Sequence, residues 1–219
     1  MLKRSAYENT IEVGIDEAGR GCLMGPVVAA AVVLPADTTT NPLWASVKDS
    51  KKLSEKKRGV LADMIRREAL AYGIGIAHAD EIDQRNILQA TMKAMHRALD
   101  ECFYMCMERT TQPFNYILVD GPHFRRYMLP GYDEDSAVSH DCIENGDGTF
   151  LSIAAASILA KTTRDRWVLD LVAAQPELDE RYNFKKNKGY GTKAHMDGIR
   201  QHGICDCHRK TFHPVSDYA

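Results

Sequence analysis

Asp16 and Glu17 are the residues most suited to chemistry in this chain, because two adjacent acids leave an apolar stretch and run straight into a turn containing Gly19 and Gly21. Close carboxylates repel one another. Unless one takes up a proton, the arrangement is relieved by a cation, and oxygen-only ligands select Mg2+ or Mn2+ over zinc. Asp120 ends a second apolar run, and Asp147 lies in Asn145-Gly146-Asp147-Gly148. A single acid at a strand end is usually a turn former or a helix cap, so only the set carries weight. Two divalent ions about 4 Å apart can activate water and stabilise the leaving oxygen of a phosphodiester without a side-chain nucleophile. The chain has no Gly-x-Ser-x-Gly elbow, Walker loop or Gly-x-Gly-x-x-Gly fingerprint, so acyl transfer, ATP hydrolysis and dinucleotide binding lack their usual signals.

The acids need a scaffold. Ile11, Val13 and Ile15 alternate with Glu12, Gly14 and Asp16, the period-2 pattern of a strand with one apolar and one polar face. Residues 27–34 read as a second strand pairing back on the first, and 72–77 as a third. Between them Ser54 caps a helix with apolar positions Val60, Leu61, Met64 and Ile65. Leu88, Met92, Met95 and Leu99 form the core-facing stripe of a longer helix. Residues 116–119 form a short apolar run ending at Asp120, as expected of a central strand buried on both faces. If that strand neighbours the first, Asp16 and Asp120 meet at one end of the sheet. The Ala-rich stretch 153–161 predicts a structural helix whose small side chains allow close approach to the sheet. Residues 1–175 are expected to form the core, and 176–219 a helical extension packed on it.

At 219 residues, with 44% hydrophobic and 26% charged side chains, the composition is that of one soluble globular unit, expected to be a cytoplasmic monomer with no membrane role. The net charge of −2 hides local basic clusters: Lys48, Lys51, Lys52, Lys56, Lys57 and Arg58, and Arg181, Lys185, Lys186, Lys188 and Lys193. Either is consistent with a polyanion partner or with a solvated face. The six cysteines show no disulfide framework and are expected to be free thiols. Cys205, Cys207 and His208 lack a second pair at zinc-finger spacing, and no zinc is assigned.

Gly14-Ile15-Asp16-Glu17-Ala18-Gly19-Arg20-Gly21 resembles the opening motif of ribonuclease HII. Asp49-Ser50-Lys51-Lys52-Leu53-Ser54, Val119-Asp120-Gly121, the segment 153–161 with Arg164-Asp165-Arg166, Lys188-Gly189-Tyr190-Gly191-Thr192-Lys193 and His208-Arg209 follow in the family's order, covering about residues 12–213. The resemblance implies an α/β, ribonuclease H-like fold: a mixed central sheet flanked by helices, with a helical C-terminal extension that helps hold the duplex. It implies an acidic site of Asp16, Glu17, Asp120 and Asp147 holding two Mg2+ or Mn2+ ions, with Asp16 as bridging ligand. The family's lysine before Gly-Asp is Asn145 here, and a polar loop at 130–140 separates this motif from Asp120. Asp165 is the competing acid, for which ion pairing within its helix is preferred.

Telling one ribonucleotide from deoxyribonucleotides requires contact with the 2′-hydroxyl. The resemblance implies that the turn Gly19, Arg20, Gly21 approaches the ribonucleotide and that Tyr190 packs near the following sugar. Lys51 and Lys193 are candidate phosphate contacts, and Lys161 a weaker one. The expected activity is endonucleolytic hydrolysis on the 5′ side of ribonucleotides in duplex DNA and of the RNA strand of RNA:DNA hybrids, leaving 5′-phosphate and 3′-hydroxyl ends. The alternatives are a hybrid-only enzyme of the ribonuclease HIII kind, disfavoured because the first motif begins at residue 14, and a non-catalytic duplex-binding module.

Overall fold

The computed structural model describes residues 2–132 and 136–219; residues 133–135, within the polar loop, lie outside the described residues. Six strands, β1 (Glu12–Ala18), β2 (Val27–Val33), β3 (Ala71–Ala77), β4 (Tyr116–Asp120), β5 (Tyr127–Met128) and β6 (Ala137–Ile143), form one sheet in the order β3-β2-β1-β4-β6-β5. β1, β2 and β3 make an antiparallel meander, β4 lies parallel to β1, β6 parallel to β4, and β5 closes the edge antiparallel to β6. The sheet is therefore mixed. β4 is its apolar centre, with Ile117, Leu118 and Val119 fully buried.

Alternation along β2 builds two cores. Val27, Ala29, Ala31 and Val33 join Met92, Met95, Leu99 and Cys102 of α3 (Ile87–Arg109), which the short α2 (Ala79–Arg85) precedes. Ala30 and Val32 face Leu61, Met64 and Ile65 of α1 (Glu55–Glu68) and the alanines of α4 (Leu151–Ala174). Each side of the sheet is thus covered by helices. The polar face expected of β1 is covered too: Asp16 is buried against α4, and Glu12 is buried with its carboxylate accepting the Ala6 and Tyr7 N–H groups and the Thr10 hydroxyl.

Ser54 Oγ accepts the Lys57 N–H at 3.3 Å and so caps α1. Val60 and Leu88, read as core positions, are 49% and 36% exposed. Leu88 sits in the first turn of α3, where Ile87 packs on the core instead. The Ala-rich helix runs on to Ala174, far beyond its expected end at residue 161. Its distal half gives Val168 and Val172 to a third cluster with Leu178 and Tyr182 of α5 (Glu177–Tyr182), Phe184 of α6 (Phe184–Asn187) and Ile199 of α7 (Lys193–His202). Leu23 and Met24, from the turn after β1, complete that cluster. The C-terminal helices are therefore seated against the turn that follows the first two acids. Among the described residues, no helix is long and apolar enough to cross a membrane.

Candidate active site

Parallel pairing of β1 with β4 sets Ile15 opposite Val119, so the next residues, Asp16 and Asp120, lie side by side, Asp16 still paired with Ala30 of β2 and Asp120 the last residue of β4. Asp16 is 5% exposed and faces α4, where the nearby Ser157 hydroxyl favours its charged form. The Glu17 N–H donates to Asp16 Oδ1 at 2.6 Å. Ser157 is held in turn by Ser50, with Oγ atoms 3.0 Å apart. The Ala-rich helix therefore builds the site as well as the core.

Asp120 Oδ1 accepts the N–H groups of Gly146 at 2.7 Å and Asp147 at 3.4 Å, which ties the 3-10 turn Gly146–Gly148 to the end of β4. Glycine at 146 eases this approach: a Cβ there would lie 2.7 Å from Ile153 Cδ1 and 3.2 Å from Asp120 Oδ1, both side-chain ends that would have to shift. Asn145, in place of the family's lysine, takes a left-handed conformation at φ 54°, which asparagine adopts more readily than most residues.

Burial, together with the charges of Glu17 and Asp120, pushes the Asp16 carboxyl well above the usual carboxylate range. Burial also raises Glu17, against the opposing pull of Arg20 and Lys51. Asp147 is raised by burial and by the charges of Asp120 and Asp49, with Lys51 opposing. Asp49, which opens the Asp-Ser-Lys-Lys-Leu-Ser motif, is thus a further acid beside Asp147. The acids are an oxygen-only donor set whose chemistry suits a hard divalent cation; among the described residues no three of them bring an oxygen each within 4.8 Å of one another.

A cavity of about 300 Å³ opens beside Asp16 and Glu17, lined also by Gly19, Arg20, Gly21, Lys51, Lys161 and Tyr190. Arg20 Nη1 lies 3.2 Å from Glu17 Oε1. The Lys161 ammonium stands 5.6 Å over the ring of half-exposed Tyr190. Lys193 is not among the lining residues; at the start of α7 its ammonium lies 2.8 Å from Asp197. Asp165 is engaged by Lys161 at 2.7 Å and Arg58 at 3.8 Å.

Two arginines given no role from sequence hold the turn. Arg209 is fully buried and donates to the carbonyls of Gly19, Arg20 and Gly25 at 2.8, 2.8 and 2.9 Å. Burial lowers its pKa to about 10, which leaves it charged at neutral pH. Arg164, also fully buried, donates to Met24, Pro26 and Lys188 at 3.0, 3.1 and 2.8 Å. Gly19 is at φ 93°, and a Cβ there would lie 2.1 Å from Arg164 Nε. No local sequence signal separates such guanidiniums from solvated ones, since burial alone makes the difference.

A mixed sheet with helices on both faces is the architecture of the ribonuclease H-like proteins, and solved structures agree. Ribonuclease H2 from Pyrococcus horikoshii matches with a TM-score of 0.69 at 21% identity, over 94% of this chain and 96% of that one. A Bst-RNase HIII solved in complex with Mn2+ matches with a TM-score of 0.62 at 19% identity, over 94% and 68%. In sequence, the model of the ribonuclease HII family matches residues 13–215. Ribonuclease HII of Parabacteroides distasonis is 46% identical over 212 residues, 97% of this chain and 94% of its own length. The chain belongs to the ribonuclease HII family. It is a ribonuclease H, an endonuclease acting on RNA:DNA.

Proposed function

We propose that this enzyme hydrolyses the phosphodiester on the 5′ side of ribonucleotides within duplex DNA, as well as the RNA strand of hybrids, leaving 5′-phosphate and 3′-hydroxyl ends. Asp16, Glu17, Asp120 and Asp147 would hold two Mg2+ or Mn2+ ions, whose chemistry is to activate water and stabilise the leaving 3′-oxygen. The observation that carries this reading is the parallel pairing that sets Asp16 beside Asp120 on neighbouring strands. The Mn2+ bound by the HIII structure of the same fold supports the ion class.

Ribose selection rests on the turn. Arg209 holds the carbonyls of Gly19 and Arg20, and a trans peptide directs its N–H opposite its C=O. The amides of Arg20 and Gly21 are thereby presented away from Arg209. Nothing lies within 4 Å of where a Cβ of Gly21 would stand, which leaves room for a sugar to approach the backbone. Tyr190 and Lys51, on the same cavity, are suited to the adjoining sugar and to phosphate. Lys193 is retained as a peripheral phosphate contact, and residues 176–219 as the extension that holds the duplex.

The test is a DNA duplex with one embedded ribonucleotide and mapped product ends. A single nick on the 5′ side, with either ion, supports the proposal. Cutting confined to hybrid tracts would replace it with a hybrid-only specificity. Salt-sensitive binding without cleavage would reduce the chain to a duplex-binding module.

A further inference from the structure

Apart from the carboxylate site, residues 205–208 bring three soft donors together. Cys205 Sγ and Cys207 Sγ lie 2.7 Å apart, His208 Nδ1 is 3.0 Å from the Cys205 sulfur, and all three donor atoms fall within 4.8 Å of one another. A tetrahedral zinc ion, with bonds of about 2.3 Å to sulfur and about 2.0 Å to nitrogen, sets such donors about 3.5–3.8 Å apart. The group is compact enough to close around one ion with a small opening of the two thiols.

The hydrogen bonds fix which histidine nitrogen is available. The Cys205 N–H can only donate, and it meets His208 Nδ1 at 2.9 Å, so Nδ1 carries the lone pair. The Tyr190 carbonyl can only accept, and it meets His195 Nδ1 at 3.0 Å, so that nitrogen carries a proton. The 2.9 Å contact between the two Nε2 atoms is then donation from His208 to His195. A ligating imidazole whose other N–H is held by a second group is the usual setting of a metal-bound histidine. An ion would take the lone pair now shared with the Cys205 amide.

Both cysteines line a cavity of about 570 Å³ together with His78, Asp80 and Asp206. That gives an ion access and leaves room for water as the fourth ligand. The same loop is fastened to the substrate turn: the Gly25 N–H donates to the Cys207 carbonyl at 2.8 Å, and the next residue but one is Arg209. We propose that Cys205, Cys207 and His208 bind one Zn2+ as a structural clip that locks the C-terminal loop onto the turn after β1. Thiolate and imidazole donors separate this site from the oxygen-only cluster at Asp16.

The full-length protein, purified with reductant and stripped with chelator, is titrated with Co2+ and then Zn2+. Reduced wild type is expected to show a thiolate-to-cobalt charge-transfer band, displaced by one equivalent of Zn2+. The band persists in Asp120→Asn and disappears in Cys205→Ser and Cys207→Ala. Loss of the outer hydrogen bond in His195→Asn is expected to weaken Zn2+ binding about 10- to 100-fold. Absence of the band in reduced wild type, its survival in Cys205→Ser, or a Cys205–Cys207 disulfide found by mass spectrometry in the reductant-treated protein would overturn the proposal. Because the wild-type chain carries the readout, a variant that fails to fold does not weaken the test.

Discussion

Asp16 is under opposed demands. Its burial beside Glu17 and Asp120 favours the protonated form, whereas a hard cation needs the carboxylate. An acid whose pKa is raised by folding binds its proton more tightly in the folded chain, so the stability it contributes is full below about pH 4 and is lost as pH rises through the raised value. With EDTA present, Asp16→Asn is therefore expected to be the more stable protein at neutral pH, with its Tm advantage over wild type shrinking toward pH 4. Added Mg2+ or Mn2+ should reverse the ranking at neutral pH. In the one-ribonucleotide assay the same variant is expected to lose about 10³-fold or more of its activity, equivalent to about 4 kcal/mol of barrier, with its circular dichroism unchanged. A fully active Asp16→Asn would remove Asp16 from the site.

At the scale of elements, the site depends on parts far apart in the chain. β1 and β4 supply the paired acids, α4 supplies Ser157 and Lys161, and the C-terminal loop supplies Arg209. Arg209→Met would leave the buried carbonyls of Gly19 and Gly25 without this donor, at a cost of about 2 kcal/mol or more. Arg209→Lys keeps the charge but lacks the planar fork that reaches three acceptors. It is expected to stay folded and to lose about 10-fold in kcat/KM, about 1.4 kcal/mol, on the one-ribonucleotide duplex. Ser54→Ala serves as the contrast. It removes the cap of α1 and should cost about 1 kcal/mol in urea unfolding while leaving kcat/KM unchanged.

For the whole molecule, a net charge of −2 coexists with binding of a polyanion because the basic groups are unequally deployed. Arg58 turns inward, donating to the Ser50 and Leu53 carbonyls, and Lys193 is drawn to Asp197. Lys51 stays exposed beside the acids, and Lys186 is exposed after α5. Binding of the catalytically disabled Asp16→Asn protein to a labelled hybrid duplex should weaken linearly in log–log plots against salt. Lys51→Gln should reduce that slope by about one phosphate contact. An unchanged slope would exclude Lys51 from phosphate binding.

Local chemistry along the chain already contained β1 to β4, the capped helix α1, the Met stripe of α3 and the candidate acids Asp16, Glu17, Asp120 and Asp147, because periodicity and residue type express local constraints, whereas β5 and β6 lie in a stretch whose polar sequence reads as a loop. The ribonuclease HII resemblance was legible for the same reason, since its motifs are contiguous. Long-range packing decided the remainder. It put β4 beside β1, packed α4 against the face of β1 that carries Asp16, drew Arg58 inward, and buried Arg164 and Arg209 behind the turn that follows β1. It also aligned Cys205, Cys207 and His208 with His195, residues whose spacing alone had not suggested an ion. A side chain's burial and its partners across the sheet are set by which distant segments fill the space around it, and no local pattern encodes that. Asp16 and Glu17 could therefore be proposed as a cation site from their sequence, whereas the buried arginines that hold the neighbouring turn could be recognised only in the folded chain.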